Sequence, residues 1–370
     1  MNLLLCGGGT AGHVNPAVAI ADALLKEDKA CKIAFVGRDG GNEYTSITER
    51  KIPLYRLRVQ GLDRRHPLKN VKAVSELTKS VFEAKKIIKE FRPDVIVGTG
   101  GYVCAPMIIG GRLMKIPTII HESNAYPGFT ARKLAPFCDR VLLNFECCKK
   151  YFKNKKRIRV VGNPLLLDFE SITKDAARKS LGIEKNEFFI VSFGGSGGAE
   201  IMNKSLLEFM KAYSSKNSFI RHTHAVGKKY YPEIKEIENE LCRGKSGCKI
   251  LPYIDNMPAF MNAADLVISR CGAMTLSEIA CAGVPSILIP SPNVADDHQL
   301  KNARQFASDK CAVLIEEKDL NLRSLLDSVR ELYHNKALYS EMASAVKKKH
   351  NKNASGDILK EIYSVAKSKS

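Results

Sequence analysis

A histidine at the mouth of a helix, beside glycines that let backbone N–H groups approach a ligand, is the first feature here that can do chemistry. Residues Gly7-Gly8-Gly9-Thr10-Ala11-Gly12-His13 follow an apolar run and precede a helical pattern opening near Pro16. The positive end of a helix disfavours a cation, so an imidazole there serves as the neutral base needed to take a proton from a sugar hydroxyl. Gly7, Gly9 and Gly12 also satisfy the dinucleotide pattern G-x-G-x-x-G. The acid expected about 20 residues on is not in place, and Gly37-Arg38-Asp39 offers an Arg that suits a 2′-phosphate. This motif alone leaves an NADP site, a phosphate site and tight strand-to-helix packing all open.

Other loops repeat the theme. Gly98-Thr99-Gly100-Gly101-Tyr102 and His121-Glu122-Ser123-Asn124 each follow a short apolar run, and together with the first loop they make a site rich in N–H donors, suited to a phosphorylated ligand. Further on, Gly194-Gly195-Ser196-Gly197-Gly198-Ala199 joins a strand to a helix, where the helix dipole and the Ser196 hydroxyl can bind a diphosphate. It lacks the lysine of a nucleoside triphosphatase loop. In the stretch Ser269 to Glu278, Thr275 can donate to phosphate and Glu278 can accept both hydroxyls of a ribose. Asp296-Asp297-His298-Gln299 offers polar groups for sugar hydroxyls, and no D-x-D follows a strand to hold a metal.

These loops need strands to hold them. Leu3–Cys6, Ile33–Val36, Val95–Val97, Thr118–Ile120, Val141–Leu143 and Arg159–Val161 read as buried strands separated by helical patterns. The alternation restarts after Gly162-Asn163-Pro164 with Phe189–Phe193, Lys249–Pro252, Leu266–Ser269 and Ser286–Pro290. The expected fold class is α/β, with two Rossmann-like, doubly wound parallel-sheet domains at 1–163 and 164–345. Residues 346–370 are expected to form a basic helix that packs back on the first domain and ends in a frayed tail.

Composition narrows the classes. A 370-residue chain with 45% hydrophobic residues is a folded protein with a sizeable core. Its longest apolar runs fall short of the ~20 residues that span a bilayer, and its N-terminus is too short for a secretory h-region, so a cytoplasmic protein is expected. Eleven cysteines without a C-x-x-C pair read as buried thiols rather than bridges or zinc ligands. The net charge of +19 fits an acidic partner: nucleic acid, anionic lipid or a phosphorylated substrate.

Taken together, the loops resemble those of the GT-B glycosyltransferases, and closely the MurG family, which transfers N-acetylglucosamine (GlcNAc) from its UDP donor to undecaprenyl-pyrophosphoryl-N-acetylmuramoyl pentapeptide. The resemblance rests on GGGTAGHVNPA (7–17), GTGGYV (98–103), HESN (121–124), GNP (162–164), GGSGGA (194–199), YIDNM (253–257), RCGAMTLSEIACAGVPSILIP (270–290) and DDHQLKNA (296–303), in the family's order along nearly the whole chain. It implies two domains facing each other across a cleft, with the acceptor lipid on the first and the nucleotide sugar mainly on the second. The implied reaction is an inverting single displacement onto the 4-hydroxyl of N-acetylmuramic acid (MurNAc), with no metal or cofactor.

On that resemblance His13 is the base, with Glu122 as a candidate to share the role, and Gly100, Gly101 and Tyr102 meet the acceptor. Thr10, Ala11 and Gly12 lie near the donor diphosphate, Asn124 touches the donor sugar, and Ser196 with Gly197 binds phosphate. Ile254 lies against uracil, while Ala273, Met274, Thr275, Leu276, Ser277 and Glu278 hold phosphates and ribose. Gln299 and His298 read the GlcNAc hydroxyls. The family's alternatives are another lipid glycosyltransferase or a UDP-GlcNAc 2-epimerase.

Two departures stand out: Ala11 where the family usually has Gly, and Leu166 where an Arg often follows the GNP element. The resemblance further implies a peripheral enzyme on the anionic cytoplasmic face of the cell membrane, making lipid II for peptidoglycan. It would then serve cell shape and division, with other cell-wall or division proteins as possible partners.

A membrane face can be sought on the helix through Phe91. Val74, Leu77, Val81, Ala84, Ile88 and Phe91 share one side, whereas Lys79, Lys85, Lys86 and Lys89 surround Phe82 on another. Aromatic and lysine together suit anionic lipid. Nucleic acid would explain the charge but leave the glycine loops without purpose, and no stacking or helix-turn-helix signature is present.

Overall fold

The computed structural model describes residues 1–41, 44–59, 70–213, 219–241 and 247–367. The chain divides into two compact units, one of Met1–Leu166 with Asn351–Ser370, the other Leu167–His350. The chain therefore passes between units twice, at residues 166–167 and 350–351.

Unit 1 is built on seven parallel strands: β1 (Asn2–Gly7), β2 (Lys32–Arg38), β3 (Leu54–Leu57), β4 (Val95–Gly100), β5 (Thr118–Glu122), β6 (Arg140–Leu143) and β7 (Ile158–Val160). Their order is β3-β2-β1-β4-β5-β6-β7, so the direction of winding reverses between β1 and β4. Alternate side chains of β1 serve opposite faces. Leu3 and Leu5 pack with the helix Ala11–Glu27 and the last helix, while Leu4 and Cys6 pack with the helices Asn70–Phe91 and Cys104–Leu113. Burial on both faces is why these strands read as unbroken apolar runs.

The last helix, Ala354–Lys367, buries Ile358, Leu359, Ile362 and Val365 in this core. Glu361 reaches back to Arg140 at 2.8 Å and Arg159 at 3.4 Å. It is thus an amphipathic core element, separated from the helix Lys336–Lys347 by a break.

Unit 2 holds six parallel strands, β8 (Phe188–Phe193), β9 (Ile220–Ala225), β10 (Cys248–Leu251), β11 (Leu266–Ser269), β12 (Ser286–Leu288) and β13 (Ala312–Leu314). The order β10-β9-β8-β11-β12-β13 places its own reversal between β8 and β11. Strand β9, with sequence IRHTHA, is legible only in the structure. His222 and His224 are fully buried, flanking the Ser192 hydroxyl at 2.8 and 2.9 Å. Burial holds His224 down at about 4 and His222 well below its usual value. No helix among the described residues is long and apolar enough to cross a membrane.

Candidate active site

In unit 1 the loops after β1, β4 and β5 sit side by side, because those strands are neighbours in the sheet. The first and second are interlocked. Gly8 N–H donates to the Gly100 carbonyl at 3.2 Å, and a Cβ at Gly101, whose φ is +86°, would overlap the Gly8 carbonyl oxygen. The buried Thr99 hydroxyl donates to the His13 carbonyl at 2.6 Å. Thr99 is an anchor that the glycine spacing around it does not announce.

His13 is half-buried, with its ring against Gly100. Its Nδ1 lies 2.9 Å from the Gly8 carbonyl, which can only accept, so Nδ1 carries the proton and the neutral ring keeps its lone pair on Nε2. The helix opens at Ala11, five residues before Pro16, with Thr10 as N-cap in extended conformation and its hydroxyl not used for capping. Thr10, Ala11 and Gly12 are exposed, so the Ala11 departure falls at the surface.

The third loop behaves differently from expectation. Glu122 is buried, and both its oxygens are committed: one accepts from the Asn124 backbone and side-chain N–H groups at 2.9 and 3.0 Å, the other from Gly128 N–H at 2.8 Å. Both oxygens thus brace the loop. His121 donates from Nε2 to the Gly162 carbonyl at 3.0 Å, and burial brings it down to about 4. Leu166 packs against the apolar core of unit 1.

In unit 2, Gly194–Ala199 follows β8 and Gly272 opens the helix Ala273–Ala282 after β11, again at adjacent strand ends. Gly198 has φ +74°, and a side chain there would overlap the Val226 carbonyl oxygen, whereas Ser196 and Gly197 stand exposed. The half-buried Glu278 carboxyl is surrounded closely enough that desolvation pushes it up to about 7.

Two expected donor residues do not present side chains. Leu276 is fully buried and its N–H is spent on the Gly272 carbonyl at 3.0 Å, while Ile254 is 2% exposed, with Tyr253 standing at the surface beside it. Ser277 donates to the Ala273 carbonyl. Ala273 is buried at its side chain, and Met274 and Thr275 are half-buried in the first turn, where helix N–H groups point outward.

Gln299 accepts from Cys271 N–H at 3.3 Å and Ser291 N–H at 2.9 Å, tying together the loops that follow β11 and β12. His298 Nδ1 donates to the Ala295 carbonyl at 2.8 Å. Just before them, Asp296 and Asp297 both adopt left-handed backbone, φ 55° and 49°, at a cost of about 1 kcal/mol each.

Comparison with known proteins agrees with this geometry. Residues 3–143 match the N-terminal domain model of glycosyltransferase family 28, and residues 189–358 match its C-terminal domain model. A UDP-N-acetylglucosamine–N-acetylmuramyl-(pentapeptide) pyrophosphoryl-undecaprenol N-acetylglucosamine transferase of Acetivibrio thermocellus is 39% identical over 369 residues, covering 100% of this chain and 99% of its own. The chain belongs to the MurG family.

A relative of the same description from Finegoldia magna is 35% identical, with 98% of each chain covered. The crystal structure of Acinetobacter baumannii MurG matches with a TM-score of 0.78 at 26% identity, covering 98% of this chain and 99% of that one. A Neisseria meningitidis UDP-GlcNAc 2-epimerase bound to UDP-GlcNAc matches with a TM-score of 0.66 at 15% identity, covering 98% and 100%, a likeness of fold alone. Within MurG terms, the Ala11 departure falls at an exposed position, and the Leu166 departure at one given over to packing.

Proposed function

We infer that the chain transfers GlcNAc from UDP-GlcNAc to the 4-hydroxyl of MurNAc in the lipid-linked pentapeptide, with inversion at the anomeric carbon. The observation that carries the mechanism is the fixed tautomer of His13. With Nδ1–H held by the Gly8 carbonyl, Nε2 accepts the hydroxyl proton as the acceptor oxygen attacks C1. The C1–O bond to UDP breaks on the opposite side, and its electron pair leaves with the diphosphate. N–H groups at Ser196 and Gly197, and in the first turn of the helix Ala273–Ala282, favour that charge.

Glu278 accepts the ribose hydroxyls, Gln299 and His298 face the GlcNAc hydroxyls, and Thr10, Ala11 and Gly12 stand at the donor diphosphate. Asn124 is held by Glu122 to meet the donor sugar, and Gly100, Gly101 and Tyr102 border the acceptor. Ile254 contributes its main chain beside uracil.

The acceptor's lipid calls for peripheral docking on an anionic membrane. Phe82 is 63% and Leu113 62% exposed on two helices that pack together, with Lys86 and Lys89 exposed nearby, Lys79 paired to Glu76, and Lys85 set over the Phe82 ring. The inward side of that helix is Ser80, Ala84 and Ile88, with Leu77, Val81, Ile87 and Phe91 half-buried; the Val74 side chain lies outside the described residues.

Calorimetry tests the donor assignment. UDP-GlcNAc should bind in the presence of EDTA and discriminate against UDP-glucose and NADPH, whereas preference for NADPH would reopen the dinucleotide reading of Gly7, Gly9 and Gly12.

A further inference from the structure

We propose that Glu170, Cys281 and His350 form a binding site for a borderline-soft divalent cation, zinc foremost, separate from the loops that handle the sugar nucleotide. One ligand atom from each residue, a carboxylate oxygen, a thiol sulfur and a ring nitrogen, lies within 4.8 Å of the other two. A tetrahedral zinc with bonds of ~2.0–2.3 Å sets its ligand atoms ~3.3–3.8 Å apart, a spacing within about 1.5 Å of that found here. His350 Nε2 already lies 2.7 Å from Glu170. Thiolate, imidazole and carboxylate together select zinc or cobalt over magnesium or calcium, and three protein ligands leave the fourth position to water.

The frame is built. Asp168 accepts from the N–H groups of Glu170 and Ser171 at 3.0 Å each, which fixes the turn carrying Glu170. Cys281 sits in the last turn of the helix Ala273–Ala282, closed by Gly283 against the Lys347 side chain. Asn351, next to His350, donates to the Val161 carbonyl at 2.9 Å and to Asp357 at 2.9 Å. Cys281 and His350 are half-buried and Glu170 is exposed, so an ion has a path in.

The placement has a consequence. Glu170 lies just after the first passage of the chain between units, His350 is the last residue before the second, and Cys281 lies in the last turn of the helix that carries Glu278. An ion here ties both passages to the donor-binding helix. Sequence spacing could not show this, because the three ligands lie far apart along the chain.

Cobalt titration of the full-length, phosphine-reduced protein provides the test. One equivalent of Co2+ should give a thiolate charge-transfer band that Zn2+ abolishes. Cys281→Ser should remove the band, and His350→Gln and Glu170→Gln should each weaken binding at least tenfold. In the unaltered protein, Zn2+ should slow alkylation of Cys281 at least tenfold, read by peptide mass. The proposal is overturned by absence of the band, by a band that survives Cys281→Ser, by variants that bind as the parent does, or by alkylation that zinc leaves unchanged.

Discussion

The two sheet reversals, β1 with β4 in unit 1 and β8 with β11 in unit 2, are the same architectural device put to different chemistry. At each, a glycine is required because a backbone carbonyl occupies the place of a side chain: Gly101 after β4 against Gly8 after β1, and Gly198 after β8 against Val226, which follows β9 rather than β11. The unit 1 loop closes on a half-buried imidazole whose tautomer is fixed by that same Gly8 carbonyl. The unit 2 loop closes on an exposed serine and glycine, with its titratable group, Glu278, one turn into the next helix. Proton transfer needs an oriented lone pair, whereas diphosphate and ribose binding need N–H groups and an acceptor. One fold supplies both because the strand ends, not the sheet, carry the difference.

The sharpest way to break this division of labour is to remove the imidazole. His13→Ala should lower turnover by about 10²–10⁴-fold while UDP-GlcNAc affinity by calorimetry stays at the parent value. Lost affinity with intact turnover would exchange the roles of the two loops.

Next in size is acid sensitivity. His222 and His224 are buried neutral in unit 2, His121 in unit 1, and their folded values lie below the usual 6.5. As pH falls the unfolded chain takes up protons first, so these contributions are full above pH 6.5 and shrink towards pH 4, by about 3 kcal/mol for His121 and for His224. Unit 2, with two such groups, should open before unit 1 in hydrogen exchange at pH 5; the reverse order would contradict the account.

A smaller effect is expected from Gly198→Ala, which should cost about 1–3 kcal/mol in urea unfolding and weaken UDP binding with no change in the His13 loop. Glu278→Ala should cost about 1–3 kcal/mol of UDP affinity. With the carboxyl at about 7, affinity in the parent should rise with pH through neutrality and level off above it, and Glu278→Gln should flatten that profile. The smallest change is Phe82→Ser, expected to reduce binding to anionic vesicles by about 1 kcal/mol while activity on a detergent-soluble acceptor is kept.

Much of this was legible in the sequence because parallel strands buried on both faces announce themselves as apolar runs, and Gly-rich turns mark their carboxyl ends. What escaped did so for physical reasons. Strand β9 hides behind histidines whose burial depends on Ser192 of the neighbouring strand. The edge strands β3 and β13, of four and three residues, escaped as well. Among site residues, a letter does not reveal which atoms are already engaged: both Glu122 oxygens accept from its own loop, and the Gln299 carbonyl oxygen ties two loops together. Leu276 shares a motif with Glu278 but points the opposite way round its helix, into the core.

The most direct test of the central claim is to follow labelled GlcNAc from UDP-GlcNAc in the presence of the lipid-linked MurNAc-pentapeptide, with products resolved by anomeric configuration. The account predicts one UDP released for each β-linked disaccharide formed on the lipid. UDP-sugar epimerised without transfer, or label that never reaches the lipid, would contradict it.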